Sequence, residues 1–302
     1  MQDILMRAGC FIAAIIMGYT LKKLKALPDN TFPVLTKLVV MITAPCAIIH
    51  SFIGTKFDHS MLFLIPMGLL FGFVFMLGAY LIHLREDSDW KAFSILNMSA
   101  FNIGSFTLPF AQGFLGPVGV ITTSLFDIGN ACISLGGAYG VAAVVKEGSG
   151  FSLKRILKLL VKSVPFVCYV IILIITLLNI PIPRFINDFT EMAGRGNGFL
   201  AMFMIGVGFE LKADKTMLFK ISKLLISRFT IALVLAVGCY YLLPFEAAVR
   251  QALVILCLSP IPSIAPAFTG ELGEDIGLAS AVNSFSILIS IVLIIASLTV
   301  ML

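Results

Sequence analysis

The chain has 302 residues, of which 59% are hydrophobic and 12% charged, and its mean hydropathy is +1.06. Soluble domains carry about 25% charged residues, so this composition excludes a soluble globular protein. The net charge of +5 does not indicate a nucleic-acid partner, because the basic residues fall in short loops between apolar runs. The composition therefore predicts an all-α membrane protein whose surface is solvated by a lipid bilayer.

Ten apolar segments are predicted to cross the membrane, since a spanning helix needs about 20 mostly apolar residues. In chain order the segments are 4–21, 32–54, 60–84, 90–115, 117–145, 163–180, 185–209, 217–243, 246–272 and 275–301. A basic amphipathic stretch at 152–162 precedes the sixth segment and predicts a helix that lies on the membrane surface.

The basic residues are divided unequally between the two faces that ten spans define. We call one the lysine-rich face; it receives Lys22, Lys23, Lys25, Lys37, Arg85, Lys91, Lys146, Lys154, Arg155, Lys158, Lys162, Lys212, Lys215, Lys220 and Lys223. The opposite face receives only Arg7, Lys56, Arg184, Arg195 and Arg250. Positive charge marks the cytoplasmic side, so we expect a multi-pass protein of the cell (inner) membrane with both termini extracytoplasmic.

An internal repeat is indicated by residues 109–116 and 266–273, which share the pattern P-x-x-x-G-x-L-G. The copies fall in the fourth and ninth segments, five spans apart, so the two halves enter the membrane in opposite directions. The sequence predicts two inverted five-helix repeats, 1–145 and 163–302, joined by a cytoplasmic linker with the amphipathic stretch at 146–162.

Both copies of the repeat are expected to interrupt their helix. Proline removes an amide donor and clashes with the preceding turn, which predicts unwinding at 104–109 and around Pro260, Pro262 and Pro266. Unwound backbone at membrane depth requires protein or a water-filled cavity around it. The N-terminus of a half-helix also attracts anions. The sequence therefore predicts that broken helices 4 and 9 cross at a polar, anion-binding site.

Polar side chains in four segments lie at similar depth, at ~1.5 Å per residue. Among them Asp127 has two interpretations: it couples transport to a proton or cation, or it makes a structural hydrogen bond.

Arg228, the single basic residue inside a predicted span, is expected to extend its side chain towards the lysine-rich face. The sequence shows neither a nucleophile–base pair nor a cluster of metal ligands, so we expect no enzyme, no cofactor and no metal site.

Three motifs together resemble the auxin efflux carrier family, which is related to bile acid carriers. Residues 102–109 fit the family pattern N-x-G-x-x-x-x-P of its fourth helix, residues 125–130 are similar to its Phe-Asp-x-Gly-Asn motif, and residues 262–273 are similar to its proline-rich ninth helix. The chain looks like a compact, prokaryotic-type member. Where a second asparagine is expected, Ser259 and Ser263 stand instead.

The resemblance implies a scaffold of helices 1, 2, 6 and 7 and a moving transport domain of helices 3–5 and 8–10. It also implies elevator-type alternating access, with a carboxylate bound at the crossing, Asn102 as a substrate contact, and Pro109 and Pro266 as crossover prolines. The expected substrate-binding residues are Asn102, Gly104, Ser105, Pro109, Asn130, Ser259, Ser263, Pro266 and Asn283, with Asp127 as the coupling residue.

The predicted function is secondary transport of small organic anions, either mono- or dicarboxylates. Two alternatives stay open: a sodium-coupled symporter of the bile acid type, and a channel or sensor on the same fold. The expected partners are the organic anion, the lipid bilayer and a coupling proton or sodium ion, and the sequence leaves a homodimer open.

Overall fold

A computed structural model describes residues 2–55, 58–209 and 215–302. Lys56 and Lys212, which enter the prediction of sidedness, lie outside these residues. All regular structure in the described ranges is helical. The helices are α1 Gln2–Lys23, α2 Thr31–Phe52, α3 His59–Ile82, α4 Ser88–Met98, α5 103–115, α6 Gly116–Cys132, α7 Ala138–Glu147, α8 Leu153–Lys162, α9 Val164–Leu177, α10 Arg184–Arg195, α11 Asn197–Gly208, α12 Lys215–Leu242, α13 Ala247–Cys257, α14 Ala265–Glu271 and α15 Ile276–Met301.

Each predicted segment corresponds to one of these helices or to a consecutive pair. By length and hydropathy, six helical stretches in the described ranges could each cross a membrane, and seven if α8 and α9 form one bent span. One of the six, Ser88–Glu147, is 60 residues long and contains α4 to α7. The chain is therefore an all-helical protein with several membrane-spanning helices, and the inverted ten-helix arrangement stays a prediction.

Several helix ends are fixed by local capping. Asp87 caps α4 by accepting a 2.7 Å hydrogen bond from the Trp90 amide, and Asp275 caps α15 through the Leu278 amide at 2.9 Å. These bonds satisfy amides that have no partner within the helix. At the other end of a helix, Gly148 terminates α7 with a left-handed φ of 73°, which glycine adopts without steric cost.

The two predicted interruptions are confirmed, and they meet. Helix α4 ends at Met98 and α5 begins at residue 103, whereas α13 ends at Cys257 and α14 begins at Ala265. The amide of Asn102 in the first gap donates a 2.9 Å hydrogen bond to the Pro260 carbonyl in the second. Each gap thus supplies a backbone partner that the other gap lacks.

The position predicted for the first interruption was wrong. Residues 104–109 are helical, and the chain is unwound before them, at 99–102. Two π-helical turns, Ile103–Thr107 and Ala111–Leu115, flank Pro109. Such widened turns accommodate a proline ring that would clash with the preceding turn of a regular α-helix.

Two helix pairs pack unusually closely because glycines face the neighbouring backbone. Between α3 and α6, a Cβ added to Gly68 would lie 2.0 Å from the Phe126 carbonyl oxygen. Between α1 and α11, a Cβ added to Gly206 would lie 2.0 Å from the Ile15 carbonyl oxygen. Only glycine permits this approach, so these contacts fix α3 on α6 and α1 on α11.

Helix α8 confirms the amphipathic helix predicted at 152–162. It bends by 77° into α9 at Ser163, which caps α9 through the Phe166 amide. On the side facing the protein, Ile156 and Leu160 are buried. Helix α8 therefore lies across the axis of an apolar helix rather than continuing it.

Candidate functional site

Two cavities of about 400 Å³ each converge on the place where the interruptions meet. Four residues line both cavities: Phe32, Asn102, Met204 and Ser263. Asn102 comes from the first interruption and Ser263 from the second. The two cavities are therefore neighbouring lobes around one pair of polar side chains.

The first cavity combines polar groups at the interruption with apolar walls. Of the predicted site residues, Asn102, Gly104, Ser105, Asp127, Asn130 and Ser263 line it. Its remaining walls are largely aromatic and aliphatic, with Phe101, Ile103, Leu135 and Phe166 among them. Such a space suits a ligand with one polar group and an apolar body.

The second cavity has a larger share of polar residues. Of the predicted site residues, Asn102, Ser263, Pro266 and Asn283 line it, together with Ser280 and Ser284. Lys22 and Asp29, from the connection between α1 and α2, complete this wall. Ser163 and Pro165, at the start of α9, line the first cavity, so each lobe reaches a helix end that lies next to lysines: Lys162 for the first and Lys22 for the second.

Asn102 is held by one hydrogen bond from each side of the site. Its amide nitrogen Nδ2 donates to Ser263 Oγ at 3.0 Å, and its Oδ1 accepts from Ser105 Oγ at 2.5 Å. The Ser263 hydroxyl thus accepts a bond, and its own proton has no acceptor among the described residues. Because Ser263 lines both cavities, its hydroxyl can donate that proton to a bound anion.

Asp127 is held in place by two donors. Asn130 Nδ2 donates to its Oδ1 at 2.8 Å, and the Tyr169 hydroxyl donates to its Oδ2 at 2.9 Å. Asn130 also exchanges two 3.0 Å hydrogen bonds with the backbone of Phe101 in the first interruption. The structural hydrogen bond predicted for Asp127 is present, and this carboxyl group is tied to the unwound backbone through Asn130.

The prediction that Arg228 extends towards the lysine-rich face was wrong. Its side chain is fully buried, and it donates hydrogen bonds to the carbonyls of Met98, Ala100 and Ser259. These carbonyls lie at the ends of α4 and α13, where helical partners are missing. The C-terminal ends of α4 and α13 carry partial negative charge, which stabilises the positive guanidinium at this buried position.

Comparison with known sequences adds independent evidence. A family model described as membrane transport protein matches residues 9–144. This match contains the motifs at 102–109 and 125–130 and confirms the predicted resemblance to auxin efflux carriers. No curated protein matches the chain.

Two predicted site residues, Ser259 and Pro109, line neither cavity. Ser259 is fully buried, and its hydroxyl forms a hydrogen bond with the Thr107 hydroxyl of α5. Pro109 is fully buried within α5. Both residues shape the two half-helices, whereas Asn102 and Ser263 face the space between them.

A set of polar contacts joins α5 to neighbouring helices. Gln112 Nε2 donates to the Gly194 carbonyl at 2.9 Å, and its Oε1 accepts from Asn197 Nδ2 at 3.3 Å. Asn197 Oδ1 in turn accepts from the Thr43 hydroxyl at 3.0 Å. Arg7 donates to the Gly113 carbonyl at 2.7 Å. These bonds join α5 to α1, to the end of α10 and to the start of α11, and α11 is joined in turn to α2.

Sequence reasoning missed Tyr169 and Gln112. Tyr169 lies in a nearly uniform apolar run, in which its hydroxyl is the one polar group between Ser163 and Thr176 apart from Cys168. That isolation was a usable signal, because a buried phenol needs a hydrogen-bond partner. Gln112 lies inside the repeated pattern, where the glycine and proline positions drew attention away from it.

Proposed function

We propose that the protein is a secondary transporter that carries small organic anions by elevator-type alternating access. The observation that carries this proposal is the meeting of two helix interruptions at a cavity, joined by the bond from Asn102 N–H to Pro260 O. The match of residues 9–144 to a membrane transport family supports a transport role. The contacts at the interruption support an anionic substrate.

The proposed carboxylate site lies at the start of α5. A helix N-terminus presents free amides and partial positive charge, and Gly104 and Ser105 there line the first cavity. The Ser263 hydroxyl and the Asn102 amide group lie beside them, 3.0 Å apart. One carboxylate can therefore accept from backbone amides and from a hydroxyl, and the substrate body would extend along the apolar wall.

Arg228 supports the same preference for anions. Its guanidinium donates hydrogen bonds to carbonyls at both interruptions, and no carboxylate of the described residues pairs with it. The charge is partly balanced by the carbonyl ends of α4 and α13. A buried cation next to the site lowers the electrostatic cost of placing a negative ligand there.

We place the boundary between the scaffold and the transport domain where few hydrogen bonds connect the helices. The scaffold would comprise α1, α2 and α9–α11, and the transport domain α3–α7 and α12–α15. The glycine-mediated contacts, α1 on α11 and α3 on α6, then lie within single domains. Few hydrogen bonds cross the boundary, among them Tyr169 to Asp127 and Gln112 to Gly194. Such a boundary could slide while each domain stays intact.

The lysine-rich face is proposed to be cytoplasmic, which places both termini on the outer side of the cell membrane. The two cavities then extend towards the cytoplasm, and the Gln112 contacts close the outer side. The described conformation is on this basis the inward-facing one. Asp127 is the proposed site of proton coupling, because it is the acidic residue that lines the first cavity.

Ligand-dependent stabilisation of the purified protein tests the site. Bound ligand raises the melting temperature by mass action, so aromatic monocarboxylates and dicarboxylates can be screened in parallel. Asn102→Ala should weaken binding by about 10- to 100-fold, since a hydrogen bond to a charged group contributes about 1.5–3 kcal/mol. Asn179→Gly, in an exposed turn with φ 52°, is the matched control. Equal binding by both variants would refute the site.

Coupling is tested in proteoliposomes with an imposed proton or sodium gradient. We expect a proton gradient to drive uptake by the wild type and not by Asp127→Asn, with ligand binding retained in both. If a sodium gradient alone drives uptake, the sodium symporter replaces the proton-coupled carrier. Currents far above carrier turnover would instead indicate a channel.

A further inference from the structure

Helix α8 has three faces that differ in chemistry. Ile156 and Leu160 are buried and pack against Ala131, with Cys132, Leu135 and Phe166 around them. At helical spacing, the neighbouring stripe consists of Leu153, Leu157 and Val161, which are exposed by 62%, 54% and 73%. The next stripe consists of Lys154, Lys158 and Lys162, all exposed. Of these three faces, only the first packs against other described residues of the chain.

The three lysines are available for an external partner. No described acidic residue pairs with Lys154, Lys158 or Lys162. Arg155, the remaining basic residue of the helix, is already engaged: it forms an ion pair with Glu271 and lies 4.3 Å from the Tyr139 ring centroid. The ion pair and the buried face fix the orientation of α8, so that the lysine stripe and the apolar stripe point away from the protein.

The orientation of α8 fits the boundary between water and hydrocarbon. It lies at 77° to α9, whose sequence is apolar throughout, and therefore runs close to the plane of a membrane that α9 enters. An exposed apolar stripe next to a basic stripe is the pattern of helices that place apolar side chains among acyl chains and lysines among headgroups. Anionic headgroups complement three unpaired lysines, whereas zwitterionic ones do not.

We propose that α8 is a binding site for anionic phospholipid, with Lys154, Lys158 and Lys162 on the headgroup phosphates and Leu153, Leu157 and Val161 among the acyl chains. This inference goes beyond the proposed function and does not depend on it; the buried side of α8 packs against Ala131, which lines the first cavity. Ile156 packs on Gly136, next to Ser134 and Leu135 of the first cavity, and the helix leads into Ser163 and Pro165 of the same cavity.

The test uses the full-length protein in neutral detergent, titrated with phosphatidylglycerol or with phosphatidylcholine. Native mass spectrometry counts the retained lipid, and melting temperature reports stabilisation. We expect retention of phosphatidylglycerol by the wild type. The triple variant K154Q/K158Q/K162Q should bind it about 100-fold more weakly at low ionic strength, from about fivefold for each lysine. Raising the ionic strength should weaken wild-type binding in the same direction.

A matched control separates a site from general charge attraction. K23Q/K25Q/K37Q removes the same charge from exposed lysines of the lysine-rich face that line neither cavity, and should bind like the wild type. Equal losses in both triple variants would overturn the proposal, as would equal retention of the two lipids by the wild type. Equal stabilisation by soluble glycerol phosphate would also overturn it. Because binding is measured without transport, failure here leaves the proposed function standing, and the reverse also holds.

Discussion

The hydroxyl of Tyr169 on α9 donates a 2.9 Å hydrogen bond to the carboxylate of Asp127 on α6. Tyr169 is almost fully buried, and Asp127 lines the first cavity. The bond joins two helices that the proposed mechanism assigns to different domains. A change of domain position would have to break it.

Tyr169→Phe should lower the apparent melting temperature, because Oδ2 of Asp127 then loses its donor. Leaving a buried acceptor unsatisfied costs about 1–3 kcal/mol. Tyr241→Phe, whose side chain is 73% exposed, is the matched control and should have no effect. In a double-mutant cycle, Asp127→Asn and Tyr169→Phe should be clearly non-additive. Additive effects would show that the bond does not contribute to stability.

Arg228→Met should strongly destabilise the protein, since three buried carbonyls lose their donor at once. At about 1–3 kcal/mol for each unsatisfied group, the loss should reach about 3 kcal/mol or more. Arg228→Lys keeps the charge, but a single ammonium cannot reproduce the guanidinium fork, so its stability should be intermediate. Arg184→Met removes an arginine that is 93% exposed and should be neutral in thermal unfolding. The order methionine, lysine, wild type in melting temperature is the result to check.

Gln112→Ala should loosen the side of the protein opposite the lysine-rich face. It removes the bonds to Gly194 and Asn197 that connect α5 with the start of α11. Hydrogen exchange followed by mass spectrometry should become faster at residues 110–116 and 194–200. Gln251→Ala loses a comparable bond, to the Met301 carbonyl, and should leave those segments unchanged. Unaltered exchange in Gln112→Ala would mean that these bonds do not hold that side closed.

Gly68→Ala should be severely destabilising, because its Cβ would lie 2.0 Å from the Phe126 carbonyl oxygen and backbone cannot move aside cheaply. A loss of about 3 kcal/mol, the upper range for overpacking, is expected. A Cβ at Gly238 in α12 would meet no heavy atom within 4 Å. Gly238→Ala should therefore gain about 0.5–1 kcal/mol from helix propensity. Thermal unfolding of the two variants should shift in opposite directions.

The sequence predicted the helices well because hydropathy and length are local properties. It also predicted two interruptions, since Pro260 and Pro262 cannot continue a helix. The position of the first one was wrong because π-helical turns absorb Pro109, and no local pattern distinguishes a widened turn from a broken one. The side chain of Arg228 was predicted wrongly for a different reason. Its three carbonyl acceptors lie 31 to 130 residues away from it in the sequence, and only the tertiary fold brings them to its guanidinium.

The candidate site was predictable in part for the same reason. Asn102 and Asp127 were predicted from polarity at membrane depth, and Ser263 from its place in the proline-rich ninth segment. Tyr169 and Gln112 act through partners on other helices, and of the two only Tyr169, as an isolated polar group in an apolar run, carries a signal in the sequence. The sequence therefore did not show which residues on different helices form hydrogen bonds with one another.

Three hydrogen bonds connect the two gaps. The backbone of Asn102 bonds Pro260, its side chain bonds Ser263, and the Thr107 hydroxyl bonds the Ser259 hydroxyl. Redesign of ligand preference must consequently alter both halves of the chain in concert. A side-chain substitution in one gap alone removes a partner from the other, so we expect paired libraries to reach ligand specificities that single-residue libraries do not.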